Sequence, residues 1–186
     1  FFACIMLNER EKLNQKSFLI TIERLCHQLI ESHSNFSNSI FLGVQPRGSF
    51  LNHRILKTID RIMPDNNIIS GNIDISFYRD DLMRRDEPIV PQEMDINFSV
   101  EDKDIVLIDD VLFTGRTIRS ALDALLNFGR PRSVELLILI NRRFSRHLPI
   151  EPNYVGKTID SILSEKVVVE WNEISGKDRV LIKKVV

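Results

Sequence analysis

The sequence predicts an α/β fold in which a mainly parallel sheet is flanked by helices. Two continuous apolar runs, residues 105–108 and 134–140, have the composition of strands that are buried on both faces. Between them, residues 117–128 show a helical pattern that ends at Gly129 and Pro131. Because strand, helix and strand in this order build a parallel pair, we expect the central sheet to be parallel.

Earlier elements fit the same fold class. Apolar residues recur at helical spacing over 15–31, with Asn14 as the expected cap. An apolar run at 39–44 predicts a strand, and a helical pattern follows it to about Ile62. A period of two over 68–77 predicts a half-buried strand.

Composition bounds the class of protein. The chain has 186 residues, 43% hydrophobic and 27% charged, without a repeat or linker, so a single domain over 1–186 is predicted. Residues 1–12 are expected to be an N-terminal extension that could form an edge strand, with Met6 as the native start or a leading segment missing. Residues 167–186 predict strand pairing. No apolar stretch is long enough for a membrane span.

Charge and cysteine content narrow the partners. The net charge of -1 argues against a generally basic nucleic-acid coat but leaves a local basic patch open. The two cysteines, Cys4 and Cys26, have no metal-ligand spacing, and a reducing cytoplasm is the expected compartment.

The segment 109–117 carries the clearest chemical signal. Its paired acids follow an apolar strand, and ligands of an open parallel sheet bind beyond the carboxyl ends of the strands. Carboxylates accept hydrogen bonds strongly, as from ribose hydroxyls. Gly115 permits close approach or a positive φ, and the start of the next helix suits a phosphate. The residues of this segment are Asp109, Asp110, Val111, Leu112, Phe113, Thr114, Gly115, Arg116 and Thr117.

A purely structural interpretation is that Asp110 and Thr117 cap the helix while Gly115 serves a tight turn. The order of apolar strand, paired acids and Thr-Gly-x-Thr is more specific than any of its parts and favours a ligand site. It is not a Walker loop, because the glycine-rich pattern with Gly-Lys-Ser/Thr is absent from the sequence.

Residues 105–117 resemble the phosphoribosyl pyrophosphate motif of the type I phosphoribosyltransferases. Over about 13–169 the chain is similar to the bacterial PyrR family, pyrimidine-operon regulators that also act as uracil phosphoribosyltransferases. The resemblance implies the type I phosphoribosyltransferase fold and a homodimer or higher homo-oligomer. The stretches that carry it are Asp74-Ile-Ser-Phe-Tyr-Arg-Asp-Asp-Leu82, Ala121-Leu-Asp-Ala-Leu, Gly129-Arg-Pro131, Leu148-Pro-Ile and Tyr154-Val-Gly-Lys157.

The family's reaction is implied with it: uracil and phosphoribosyl pyrophosphate give uridine monophosphate (UMP) and pyrophosphate, with Mg²⁺ as cofactor. Residues 109–117, here called the phosphoribosyl segment, would bind phosphoribosyl pyrophosphate. Asp109 and Asp110 would hold the ribose directly or through waters of the metal.

Three further segments receive roles from the resemblance. Pro46, Arg47 and Gly48, the pyrophosphate turn, would contact pyrophosphate, and we expect a cis bond before Pro46 because such a bond costs less than about 1 kcal/mol. Residues 78–92, the hood loop, would close over the site. The hood loop contains Arg79 and Asp80. The third segment, here called the base segment, would lie against the base and consists of Asn141, Arg142 and Arg143. An ordinary solvated basic turn is the alternative for Arg142, Arg143 and Arg146.

A second function implied by the family is binding of a messenger RNA leader. Arg24 and His27 match basic positions of the family's first helix, and Arg146 and Lys157 could add to a basic face. Glu23 and Ser32 depart from the family pattern there, and Asn141 replaces the usual aspartate of the base segment. The alternatives are a purine phosphoribosyltransferase without RNA binding, and a catalytically weak nucleotide-sensing RNA-binding regulator.

Overall fold

A computed structural model of the chain describes residues 9–78, 95–162 and 164–184. The elements in chain order are β1 (Arg10–Leu13), α1 (Gln15–His33), β2 (Ser39–Val44), α2 (Gly48–Ile62), β3 (Ile69–Ile73), β4 (Asp104–Leu112), α3 (Arg116–Leu125), β5 (Ser133–Arg143), β6 (Tyr154–Asp160), β7 (Glu165–Glu170), α4 (Asn172–Ser175) and β8 (Arg179–Lys184). None of the helices in these ranges has the length and apolar character that a bilayer crossing requires.

Five parallel strands form the central sheet in the order β3-β2-β4-β5-β6. Helices α1 and α2 share one apolar cluster with residues of this sheet, and α3 packs in a second cluster. Every residue of β2 is buried, as its apolar sequence requires for a strand covered on both faces. The predicted α/β fold with a flanked parallel sheet is confirmed.

A second sheet contains β1, β8 and β7 in antiparallel order and is called here the terminal sheet. Strand β1 lies at one edge of this sheet and begins at residue 10, whereas residues 1–8 of the expected N-terminal extension lie outside the described residues. The expected strand pairing near the C-terminus is confirmed by β7 and β8. Trp171, between β7 and α4, packs edge-on against Phe18 of α1 with 5.4 Å between the ring centroids. The ion pairs of Arg54 on α2 with Glu173 and Asp178 likewise join a helix that flanks the central sheet to the C-terminal part of the chain.

The bounds of α1, β2 and α2 are close to those predicted from the sequence. Asn14 caps α1 by accepting a hydrogen bond from the backbone N–H of Ser17 at 2.9 Å. The helix continues to His33, two residues beyond the predicted end. Strand β2 and the end of α2 have the predicted bounds.

Several predicted element ends were wrong. Strand β3 ends at Ile73 rather than at residue 77, because the Asp74 carboxylate accepts from the Ser76 backbone N–H and turns the chain. Helix α3 ends at Leu125 rather than at 128, and tighter bonds follow, from Asn127 N to Ala124 O and from Phe128 N to Leu125 O.

The strands around the predicted site are longer than their apolar runs. Strand β4 continues through Asp109 to Leu112, and β5 through Asn141 to Arg143. The backbone ladder pairs Leu112 with Asn141, which keeps both polar ends in the sheet. The predicted loop over 109–116 is therefore strand for its first four residues.

Candidate functional site

The carboxyl ends of β2, β4 and β5 bring three predicted segments to one edge of the sheet. The pyrophosphate turn follows β2, the phosphoribosyl segment begins inside β4, and the base segment ends β5. Because the three strands are parallel neighbours, their ends meet on the same side. Arg79 and Asp80 of the hood loop lie outside the described residues.

The pyrophosphate turn lies directly on strand β4. The peptide bond between Gln45 and Pro46 is cis, as predicted. A Cβ atom on Gly48 would lie 2.3 Å from the backbone oxygen of Ile108 and 3.2 Å from the Cα of Asp109. Only glycine permits this approach, which brings the turn against the start of the phosphoribosyl segment.

Asp109 and Asp110 are buried acids at the centre of this edge, with exposed fractions of 6% and 7%. One Asp109 oxygen accepts a hydrogen bond from the Asp110 backbone N–H at 2.9 Å. The Oδ2 atom of Asp110 has no hydrogen-bond partner among the described residues. A buried carboxylate oxygen without a donor is costly, so this atom is suited to a donor from a ligand.

Arg47 lies beside that carboxylate. Its Nη1 atom is 3.9 Å from Oδ2 of Asp110, while about half of the arginine side chain is exposed. Burial raises the pKa of Asp110 to about 6, and the positive charge of Arg47 and backbone hydrogen bonds act in the opposite direction. The acid therefore titrates near neutral pH, where most carboxyls are fully ionised.

The phosphoribosyl segment ends at the start of α3, where Gly115, with a positive φ of 91°, is the cap residue and has no side chain to cap the helix. Thr114 Oγ1 accepts a hydrogen bond from the Arg116 backbone N–H at 3.4 Å. The interpretation of Asp110 and Thr117 as caps is therefore wrong. The N–H groups of the first turn point out of the helix, and together with its positive end they suit a phosphate.

The base segment lies in strand β5, and its three side chains have different surroundings. Asn141 is half-buried and accepts a hydrogen bond from Nη2 of Arg146 at 2.8 Å. Arg142 is 5% exposed and donates from Nε to Ser161 Oγ at 2.9 Å and from Nη2 to the Glu165 backbone oxygen at 3.0 Å. Its guanidinium also lies 4.0 Å from the ring centroid of Phe113.

The solvated-turn alternative holds for one arginine only. Arg143 is exposed and pairs with Asp160 through two hydrogen bonds of 2.6 and 2.8 Å. Burial lowers the pKa of Arg142 and of Arg146, and neither belongs to a solvated turn.

The residues predicted for an RNA face divide into two groups. Arg24 donates to the backbone oxygens of Val155 and Gly156 in β6, next to Lys157, whose Nζ donates to the Lys12 oxygen at 2.8 Å. His27 is exposed on α1, one turn after Arg24. Arg146 instead donates to the Phe113 carbonyl, inside the phosphoribosyl segment.

The contacts of Arg146 with the phosphoribosyl segment were not predicted from the sequence. Arg146 lies in the connection between β5 and β6, where no local pattern marks a basic residue for such a contact. The backbone N–H groups of His147 and Leu148 both donate to the Thr114 oxygen, at 3.0 and 3.2 Å, and fix that connection against the phosphoribosyl segment.

Comparison with known proteins agrees with the fold. Residues 10–173 match the family described as Phosphoribosyl transferase domain. The chain is 39% identical over 179 residues to the Bifunctional protein PyrR of Clostridioides difficile, covering 96% of this chain and 99% of that protein. It is also 39% identical over 180 residues to the Bifunctional protein PyrR of Bacillus subtilis, covering 91% and 98% of the two chains. A solved hypoxanthine phosphoribosyltransferase from Staphylococcus aureus matches the fold with a TM-score of 0.69 at 22% identity, over 96% of this chain and 95% of that one.

The parallel sheet, the matched domain and these relatives define a phosphoribosyltransferase of the type I fold. The identity to the two curated proteins extends over nearly their whole lengths. The chain belongs to the PyrR family.

Proposed function

We propose that this chain transfers the phosphoribosyl group of phosphoribosyl pyrophosphate to uracil and also regulates pyrimidine genes by binding a messenger RNA leader. The enzymatic half rests on one observation. The Asp110 carboxylate is buried with an oxygen that lacks a hydrogen-bond donor among the described residues, and it lies 3.9 Å from the half-exposed Arg47. We further propose that the protein acts in the cytoplasm as a homodimer or higher homo-oligomer.

The proposed reaction replaces one bond at the anomeric carbon by another. The bond to a pyrophosphate oxygen breaks, N1 of uracil forms the new bond with its lone pair, and the N1 proton leaves to solvent. The protein contributes by positioning and by electrostatics, since no described side chain stands out as a nucleophile. Asp109 and Asp110 would hold the ribose, residues 114–117 the 5′-phosphate, and Arg47 the leaving pyrophosphate.

Mg²⁺ fits this arrangement as an ion that is held largely by the substrate. In the described ranges, no group of three or more His, Cys, Asp or Glu side chains could hold a metal alone. Magnesium usually combines one or two carboxylates with substrate phosphates and waters, and Oδ2 of Asp110 is an oxygen of the required kind. When bound, the ion would neutralise charge on the pyrophosphate.

Turnover assays with phosphoribosyl pyrophosphate, Mg²⁺ and each of uracil, hypoxanthine, guanine and adenine test the enzymatic proposal. We expect turnover with uracil, and its loss in the double variant Asp110→Asn/Thr117→Ala, which remains folded. Asp123→Asn, an exposed substitution on α3, is the matched control and should retain turnover. Preference for a purine would favour the salvage alternative, and no turnover with any base would favour the weak nucleotide sensor.

The regulatory half is supported by the placement of basic residues at the edge strand β6. Arg24 donates to the Val155 oxygen in this strand, Lys157 in the same strand donates to the Lys12 oxygen of β1, and His27 lies on the same helix as Arg24. Glu23, which would repel phosphate, pairs with Arg61 at 3.0 Å. This pairing reduces the negative charge beside the basic cluster.

Binding of the cognate leader RNA at several salt concentrations tests the regulatory half. Each lost phosphate contact should reduce the slope of log affinity against log salt by about 0.7 for single-stranded RNA. We expect Arg24→Gln and Lys157→Gln to weaken binding, whereas Lys177→Gln, an exposed change near α4, should leave it unchanged. Equal affinities of all three variants and the parent protein would count against this face.

A further inference from the structure

Phe113, in the middle of the phosphoribosyl segment, is held from the base side by two arginines. The guanidinium of Arg142 lies 4.0 Å from the Phe113 ring centroid. Nη1 of Arg146 donates a hydrogen bond to the Phe113 backbone oxygen. Both arginines belong to β5 or to the connection that follows it, so the base side contacts the ring and the backbone of the ribose-phosphate side.

Arg146 also reaches the base segment itself. Its Nη2 donates to Oδ1 of Asn141 at 2.8 Å, so one guanidinium joins Asn141 to Phe113. A planar guanidinium with two fixed donors sets the distance and the direction between its two acceptors. The neighbouring bonds from His147 and Leu148 to the Thr114 oxygen extend this contact to the residue before Gly115.

The contacts of Arg146 are those of a positioning residue. Its two acceptors, the Phe113 carbonyl and Asn141 Oδ1, are neutral oxygens, and it forms no ion pair with a carboxylate among the described residues. A half-buried guanidinium is costly to desolvate unless its donors are used, and here they are used within the protein. Its donors therefore serve the geometry of the two segments.

We propose that Arg146 holds the ribose-phosphate subsite and the base subsite at a fixed separation through its bridge from Phe113 to Asn141. This inference rests on the proposed function, because it assumes that the two segments bind the two parts of one nucleotide. A ligand that occupies both subsites needs the bridge. A ligand that occupies only the ribose-phosphate subsite does not.

Calorimetric titration with UMP and with ribose 5-phosphate separates these two cases. In Arg146→Met, which keeps the apolar stem, we expect UMP affinity to fall about tenfold, the loss of roughly one to two hydrogen bonds. Ribose 5-phosphate affinity should change by less than about twofold, because it depends on the α3 start and the acids alone. The KM for uracil should rise in parallel with the loss of UMP affinity.

Two further variants make the test specific. Asn141→Leu removes the same bridge but leaves the Phe113 contact and the strand backbone, so it should reproduce the UMP loss. The double variant Arg146→Met/Asn141→Leu should bind UMP with the same affinity as the weaker-binding single variant, since both substitutions remove one contact. Arg132→Met, an exposed arginine that precedes β5 and pairs with Asp104 at the opposite end of the strand, is the matched control and should bind both ligands normally.

Three results would overturn the inference. They are a UMP affinity of Arg146→Met equal to that of the control, equal losses for UMP and ribose 5-phosphate, and additive losses in the double variant. If Arg146→Met does not fold, Arg146→Lys, which keeps the charge but lacks the planar fork that reaches both acceptors, is measured in its place. Uracil turnover by the unmodified protein is measured alongside, so that a failure of the proposed function is recognised separately from a failure of the bridge.

Discussion

Replacing Asp110 by asparagine should abolish turnover and at the same time remove a pH-dependent cost to stability. The carboxyl is buried, and its burial raises its pKa from the ordinary 3.8 to about 6 even with Arg47 nearby. The folded protein therefore binds this proton more tightly than the unfolded chain does. Stability from this group is complete below pH 3.8 and is lost as the pH rises to about 6.

The magnitude follows from the size of the pKa change. A rise from 3.8 to about 6 corresponds to roughly 3 kcal/mol, since one pKa unit is worth about 1.36 kcal/mol. Asparagine resembles the protonated acid and does not titrate. Between pH 4 and pH 8, the free energy of unfolding of Asp110→Asn should therefore gain roughly 3 kcal/mol relative to the parent protein. Any fixed cost of burying the amide is the same at both pH values.

Urea unfolding of both proteins at pH 4, 6 and 8 measures this difference. Asp104→Asn is the control for a carboxyl that titrates below this range, because the hydrogen bond from Arg132 lowers the pKa of Asp104 to about 2. The stability from that acid is present above pH 3.8 and is lost only as the pH falls towards 2, so its variant should be less stable than the parent protein by a nearly constant amount from pH 4 to pH 8. A difference for Asp110→Asn that is equally independent of pH, or that falls as the pH rises, would refute the reasoning.

Three other changes test the geometry of the site and of the terminal sheet. The pH profile of kcat/KM for phosphoribosyl pyrophosphate should rise through about pH 6 as Asp110 ionises. Arg47→Met should move the inflection to higher pH, because it removes the charge that lowers the pKa of Asp110. An unmoved inflection would contradict the assignment. Gly48→Ala would place a Cβ 2.3 Å from a backbone oxygen of β4. We therefore expect roughly 1–3 kcal/mol of lost stability in urea unfolding and a raised KM for phosphoribosyl pyrophosphate. An unchanged KM would argue against the role of the pyrophosphate turn. Arg54→Met leaves the buried Asp178 without its ion-pair partner. The free energy of unfolding, followed by tryptophan fluorescence, should fall by roughly 3–5 kcal/mol. A fall below about 1 kcal/mol would show that the ion pair does not hold the terminal sheet.

The fold class could be predicted from the sequence because it depends on local patterns, and so could the position of residues 109–117 between a buried strand and a helix. Apolar runs marked the cores of β2, β4 and β5, and they failed to mark the strand ends for a physical reason. The backbone ladder between β4 and β5 continues to Leu112 and Asn141, and its hydrogen bonds do not depend on side-chain polarity. Polar residues at the carboxyl ends of parallel strands therefore remain in the sheet while their side chains serve the site.

Other features depend on contacts that no local pattern shows. Strand β6 was not predicted, since its sequence mixes polar and apolar residues and contains Gly156, which approaches Leu139 too closely for any Cβ. The bridge by Arg146 joins Asn141 to Phe113, 28 positions earlier in the chain. A basic residue in a loop has no sequence signal for such a contact, and Arg146 was expected on the RNA face instead.

During synthesis, β1 leaves the ribosome long before its partner strand exists. Arg10 pairs with Ile182, and at roughly 5–20 residues per second about 10–30 s separate the two. The five-stranded sheet is complete at Asp160 and is free to fold in that interval. Until Trp171 is made, Phe18 on α1 lacks the edge-on ring contact that it has in the folded protein. A stalled chain would thus expose an apolar helix face to chaperones and proteases. Synthesis and docking of the last segment would bury that face.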